Sequence, residues 1–446
     1  MPWFRALHRK LLLSVLGLFF FNALLDRLTA YYLGYKLFTT VFYMVIGIAL
    51  LCRVFVIVRT GRVAGLEVAA ALWLFFMLVL GSAYGDVVAS LIGIKEFFFG
   101  IVFLLLFAAA DLPIATLLRS LSLVLLYAIF QGAYFLTQGF TLPPWDAAYV
   151  KERLQAGVLN LYQGTIGEGG LIRPFATLGS TVEYGIVVHA FVVGLFLLRS
   201  RLSPRQARWT VCLLLLLVVQ DALLPERTPI LMALLMLCGS RIGFSVVQGL
   251  LKGSSRLVSG GLVTAGAVVL PFIVAPFLLA SGNPAVKRLG ESVEFWRAES
   301  VQMRQAHEWA NAIQTIRWHP EGMGPGEVVV KKYNPHAQRP HSNYWVLQIG
   351  YSWFTVWLFL AFIFVAFRRV FGAALSLDSD DCWVGWCGVA ITCAYLAVSF
   401  FNEPFSGYSG PPFFLVMLWF DSQLSRPRDS WERRSGTTTS QPTVGF

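Results

Sequence analysis

Residues 37–58 read Leu37-Phe38-Thr39-Thr40-Val41-Phe42-Tyr43-Met44-Val45-Ile46-Gly47-Ile48-Ala49-Leu50-Leu51-Cys52-Arg53-Val54-Phe55-Val56-Ile57-Val58, and Arg59 and Arg62 follow. A helix crosses the hydrocarbon core of a bilayer with about 20 apolar residues, and this run has that length. Similar runs recur at about 11–25, 64–84, 91–110, 114–138, 178–198, 209–224, 228–247, 257–280, 344–367, 383–401 and 411–424. The predicted fold is therefore all-α: a polytopic integral membrane protein of about twelve spans. Composition agrees. Of 446 residues, 57% are hydrophobic and 13% charged, against roughly a quarter charged in a soluble domain. That excludes a soluble globular chain and a disordered one.

Lys and Arg in short loops set orientation. Arg59 and Arg62, the cluster Arg199 to Arg208, then Arg241, Lys252 and Arg256, then Arg368 and Arg369, and finally Arg426 to Arg434 all fall on the side of the N-terminus. Both termini are therefore expected in the cytoplasm. The first span has a basic flank (Arg5, Arg9, Lys10) like that of a signal peptide. No small-x-small cleavage site follows it, so it reads as a retained helix. The net charge of +11 is mostly this inner-side bias and not a nucleic-acid footprint.

Two long loops fall outside, at about 139–177 and 281–343, the second between the ninth and tenth spans. Both carry helical patterns. In the second, Ser300 is placed to cap a helix with Ala306, Trp309, Ile313 and Ile316 on its apolar face. Residues 1–424 are read as one transmembrane domain and 425–446 as a polar cytoplasmic tail. The six cysteines lie in spans or near the inner face, so no disulfide is expected.

Three outer features carry candidate chemistry. Arg173 stands just before a span, where it is either a snorkelling anchor or an anion clamp at a helix start. Arg227 opens a span after the turn Gln220-Asp221-Ala222-Leu223-Leu224-Pro225-Glu226, and Asp221 is near enough in sequence to pair with it. The large loop ends in Arg339-Pro340-His341-Ser342-Asn343-Tyr344, and a neutral imidazole at His341 could accept a proton. Glu183 and His189 are intramembrane ionisable groups, functional candidates or helix–helix contacts. Lys95-Glu96 reads as a self-neutralising pair at a kink leaning to the cytoplasm. Asp378-Ser379-Asp380 has the form of a metal-binding D-x-D but lies inside, and a solvated loop cluster is the preferred reading; Glu403 is an outer-loop residue of low weight. Two arginines and a histidine beside outer helix starts suit cleavage of a phosphate ester or pyrophosphate.

The ordered set resembles the O-antigen ligase and O-antigen polymerase superfamily of bacterial membrane glycosyltransferases. It comprises an outer Arg before a helix, an Arg in a short outer turn, and a large loop with Arg304-x-x-x-x-Trp309, His319-Pro320-x-Gly322-x-Gly324-x-Gly326 and His341-Ser342-Asn343-Tyr344. The resemblance is densest over about 170–355. It implies transfer of a glycan from undecaprenyl pyrophosphate at the periplasmic face to a hydroxyl of another glycan or of lipid A-core, with inversion and without metal or cofactor. Arg173, Arg227 and His341 would then be catalytic. Arg304, Asn343, His319 and Glu183 would bind substrate, and a chain-length regulator would be a partner. Ligase and polymerase both fit, and a lipid-linked glycan flippase or polysaccharide exporter is the rival reading.

Overall fold

The computed structural model describes residues 2–83, 87–155, 175–178, 180–223, 227–282, 286–287, 290, 302, 308–324, 342–400 and 402–424. The described residues are helical, with no strand among them. The helices are α1 (Pro2–Leu33), α2 (Phe38–Thr60), α3 (Gly65–Ser82), α4 (Val87–Phe97), α5 (Phe99–Phe107), α6 (Ile114–Thr137) and α7 (Pro144–Gln155). Then follow α8 (Thr181–Leu197), α9 (Pro204–Leu223), α10 (Arg227–Leu251), α11 (Ser255–Leu279) and α12 (Ala310–Trp318). The last are α13 (Asn343–Gly350), α14 (Thr355–Ala366), α15 (Arg368–Ala373), α16 (Ser379–Val398) and α17 (Gly410–Leu424).

Six helices are long and apolar enough to cross a membrane, or eight if each of two bent pairs is one span. Every predicted run falls on helix, yet the expected twelve spans are not reached by length and apolarity among the described residues. The stretch predicted at 11–25 is the middle of a helix of 32 residues. It runs on through Asn22, Asp26 and Arg27, whose polar groups are buried and partnered. Asp26 accepts from Phe38 N at 2.6 Å and Thr39 N at 2.9 Å, which caps the start of α2.

The predicted spans at 91–110 and 344–367 are each broken. Helix α4 meets α5 at 73°, and α13 meets α14 at 118°. A break inside apolar surroundings needs partners for the freed backbone groups. At the second break the loop after α12 supplies them. Pro320 O accepts from Trp353 N at 3.3 Å and from Ser352 Oγ at 3.2 Å, and Met323 N donates to Ile349 O at 2.7 Å.

Short helices α8 and α17 form the centre. Both are buried nearly throughout, which suits helices apolar on every side. Close approach is set by small residues: Gly100 lies against Phe414 and Gly194 against Val416, while Gly239 faces Ala390 across the α10–α16 contact. The peripheral helices show large apolar side chains outward, such as Met44, Leu51 and Val58 on α2 and Leu72, Phe75 and Val79 on α3. Apolar helices built this way belong to a membrane-embedded protein.

One face gathers basic ends. Arg53 forks onto Glu67, its Nη2 at 2.7 Å. Arg201 reaches Asp380 at 3.6 Å, Arg369 reaches Asp421 at 3.5 Å, and Gln248 donates to Ser376 O at 2.8 Å. Asp378 of the D-x-D stretch accepts from Asp380 N and Asp381 N as the N-cap of α16.

Candidate functional site

On the opposite face, residues 402–409 form a strap between α16 and α17. Asn402 Nδ2 donates to Thr228 Oγ1 at 2.7 Å, beside the first residue of α10. Asn343, the first residue of α13, holds the middle: its Nδ2 donates to Ser406 Oγ at 2.7 Å and its Oδ1 accepts from Phe405 N at 3.0 Å. Ser342 Oγ donates to Ser399 O at 2.8 Å. At the far end Tyr408 donates to Asn22 Oδ1 at 3.0 Å and is in hydrogen-bond contact with Tyr43. One short strap therefore fastens α1, α2, α10 and α13.

Glu183 sits at the same strap. Ser180 caps α8 by accepting from Glu183 N at 3.2 Å, and a carboxylate in the first helical turn is favoured by the dipole. Gly407 has φ +49, and a Cβ added there would stand 3.1 Å from Glu183 Oε1. A left-handed backbone costs an L-residue about 1–2 kcal/mol. Gly407→Ala is thus expected to lower stability by about 1–2 kcal/mol, measured by unfolding of the detergent-solubilised chain. An unchanged midpoint would remove the argument that the strap is held in this turn.

A second knot lies beside the strap face. Arg27, 3% exposed, stands 2.9 Å from Asp146 Oδ1, and Asp146 is wholly buried. Asp146 Oδ2 accepts from Gln131 Nε2 at 2.7 Å and Tyr127 OH at 2.9 Å. Burial pushes the Asp146 carboxyl up, while Arg27, Gln131 and Tyr127 pull it back. Arg27 also donates to Ala176 O and lies over the Phe175 ring at 4.7 Å. Ala176 N donates to Gln131 Oε1 at 2.8 Å. Ala176 has φ +44, a left-handed turn in a residue with a Cβ. Both its peptide groups are caught by side chains, and such over-determination is what lets strained backbone persist. Phe175, Phe135, Leu142 and Val150 make a small core of their own that seats α7 on the end of α6.

His189 is buried inside α8. Its Nδ1 faces Gly185 O at 2.7 Å and its Nε2 faces Asp221 Oδ2 at 2.9 Å. A carbonyl only accepts, so Nδ1 carries a proton. Asp221, read from sequence as a partner for Arg227, is engaged by His189. Tyr184 OH donates to Gln220 Oε1 at 2.5 Å and tightens the same α8–α9 contact.

The structure brings Glu183, Asn343 and the start of α10 at Arg227 to one strap. Arg173, Arg304 and His341 lie outside the described residues, as does the Arg227 side chain. So do the Ser300 cap and Ala306 of the predicted loop helix. That helix is present as α12: Ile316 packs against the core and the Trp309 ring lies 6.5 Å from that of Trp345, as expected, but Ile313 is exposed and Ala312 is buried in its place. His319 caps the end of α12, with its Nδ1 3.3 Å from Glu321 Oε1. Lys95-Glu96 does precede a kink, with the charges 3.9 Å apart. However, Lys95 Nζ lies 5.0 Å from the centre of the Tyr43 ring, early in α2. The pair therefore leans to the strap face, not to the basic face. The tertiary roles of Arg27, Asp146, Gln131, Tyr43 and Tyr408 were missed. Their available signal was polar character inside apolar helices: Asn22, Asp26 and Arg27 interrupt an otherwise apolar stretch.

No protein-family model matches the chain, and no curated protein does either.

Proposed function

We propose that this chain is a membrane glycosyltransferase of the O-antigen ligase/polymerase type, with twelve passes, both termini in the cytoplasm and its site at the periplasmic face. The observation that carries the reading is the convergence of helix starts. Helices α8, α10 and α13, which follow or begin at Arg173, Arg227 and His341 in the chain, all meet the 402–409 region. Helix N-termini favour anions, and a lipid-linked pyrophosphate is the anion that a membrane-embedded chain would meet there.

In this reading a glycan hydroxyl attacks the anomeric carbon of an undecaprenyl-pyrophosphate-linked glycan. The new glycosidic C–O bond forms as the C–O bond to pyrophosphate breaks, with inversion. The hydroxyl proton passes to His341, and Arg173 and Arg227 neutralise the departing undecaprenyl pyrophosphate. Arg304, His319 and Glu183 hold sugar or phosphate groups, while Asn343 fixes the strap. The acceptor is a growing glycan or lipid A-core, and a chain-length regulator is the expected partner.

The two bent spans favour a second reading, a lipid-linked glycan flippase, because discontinuous helices commonly build transport sites. Purified chain in detergent with lipid-linked repeat units and an acceptor separates the two. Elongated glycan with release of undecaprenyl pyrophosphate supports transfer. Absence of any product, with transbilayer movement of the same lipid in vesicles, overturns it in favour of transport.

A further inference from the structure

At the basic face a cavity of about 580 Å³ opens between α1, α2 and the turn from α5 to α6. Its polar rim is His8, Arg9, Arg53, Thr60, Arg62 and Asp111, and its deeper wall includes Leu12, Leu13, Val56 and Phe107. The lining is thus divided into a charged mouth and an apolar floor.

The charges are not equivalent. Arg53 is neutralised by its fork onto buried Glu67, which also accepts from Ala64 N at 2.8 Å. That pair braces the wall between α2 and α3. Among the described residues, no ion pair to a carboxylate occupies Arg9 or Arg62. Arg62 is turned into place by Gly61, the left-handed C-cap of α2 with φ +63. The Nε2 atom of His8 is shielded from solvent and has no hydrogen-bond partner among the described residues. A buried polar atom left unmatched is costly, and His8 lines this crevice.

Leu12, Leu13 and Val56 in the crevice's own wall give an occupant of the mouth apolar surface beneath its headgroup. Basic pockets between membrane helices bind lipid headgroups by the same combination of charge and apolar wall. We propose that this crevice is a binding site for the phosphate headgroup of an anionic glycerophospholipid, held by Arg9 and Arg62 with His8 beneath them. The inference rests on the membrane embedding of the chain and is independent of the catalytic reading.

The test is thermal unfolding of the purified full chain in neutral detergent, with added phosphatidylglycerol. Phosphatidylcholine of the same acyl chains is the reference, and soluble glycerol 1-phosphate is the headgroup alone. Phosphatidylglycerol is expected to raise the midpoint by about 2 °C or more, and the other two by less than half of that. Arg9→Gln/Arg62→Gln should abolish the increment. Arg205→Gln/Lys252→Gln removes the same charge from the same face outside the crevice and should retain it. Equal shifts with both lipids, a full shift with glycerol phosphate, or equal loss in both variants would each overturn the site. If the crevice variant does not fold, native mass spectrometry of the wild-type chain decides. Retention of phosphatidylglycerol over phosphatidylcholine supports the proposal, and equal retention overturns it.

Discussion

Arg27→Met is expected to lower the unfolding free energy by about 3–5 kcal/mol, the usual cost of removing one partner from a buried ion pair. The substitution does three things at once. It leaves Asp146 wholly buried without its counter-charge. It takes the donor from Ala176 O, one of the two groups that hold a left-handed turn. It also removes a cation from the face of Phe175. Arg27→Lys keeps the charge but not the planar fork that reaches two acceptors, so it should fall between. Arg27→Met/Asp146→Leu should recover much of the loss, because an apolar pair leaves no stranded charge. Unfolding in detergent across the three variants checks the series. A single-variant loss below about 1 kcal/mol, the range of an exposed pair, would sink the claim that the knot holds residues 175–178.

His341→Ala is expected to cut glycan transfer by about 10²–10⁴-fold, the span of general base catalysis. Arg173→Ala and Arg227→Ala should each cost about 10²–10³-fold, as loss of one donor to developing charge does. The chain should remain membrane-inserted in all three. The readout is product per mole of folded protein from lipid-linked donor, with surface polymer as the cellular counterpart. Wild-type transfer in all three folded variants would remove the site assignment. Since Arg173 lies two residues before Phe175, Arg27→Lys should also lower transfer through misplacement of Arg173.

Apolar run length located the helices well, because a spanning helix must be apolar over a fixed rise. It did not reveal direction. The runs at 91–110 and 344–367 have the right composition, yet each turns sharply inside. The second turn is stabilised by Pro320 and Met323, which come from another part of the chain, so no local signal at 350–354 could announce it. The length of α1 was hidden for a related reason. Asn22, Asp26 and Arg27 look like a stop to apolarity, and only their tertiary partners make them compatible with a buried helix. At the site, sequence order singled out Glu183, Arg227 and Asn343 and gave Glu403 little weight. The strap that joins them was illegible, because its hydrogen bonds link residues 62 to 386 positions apart. The Lys95-Glu96 pair was placed at a kink but on the wrong face, since a kink in a sequence carries no depth.

The position of the strap late in the chain has a consequence for biosynthesis. Spanning helices are delivered to the membrane in order of translation, and the strap at 402–409 emerges after every helix it fastens except α17. Helices α1, α2, α8, α10 and α13 must therefore wait with their polar ends untied until residues 402–409 arrive. Long-range contacts of this kind are slow to form. The nascent chain would thus be most exposed to quality-control proteases just before translation of its final helix is complete.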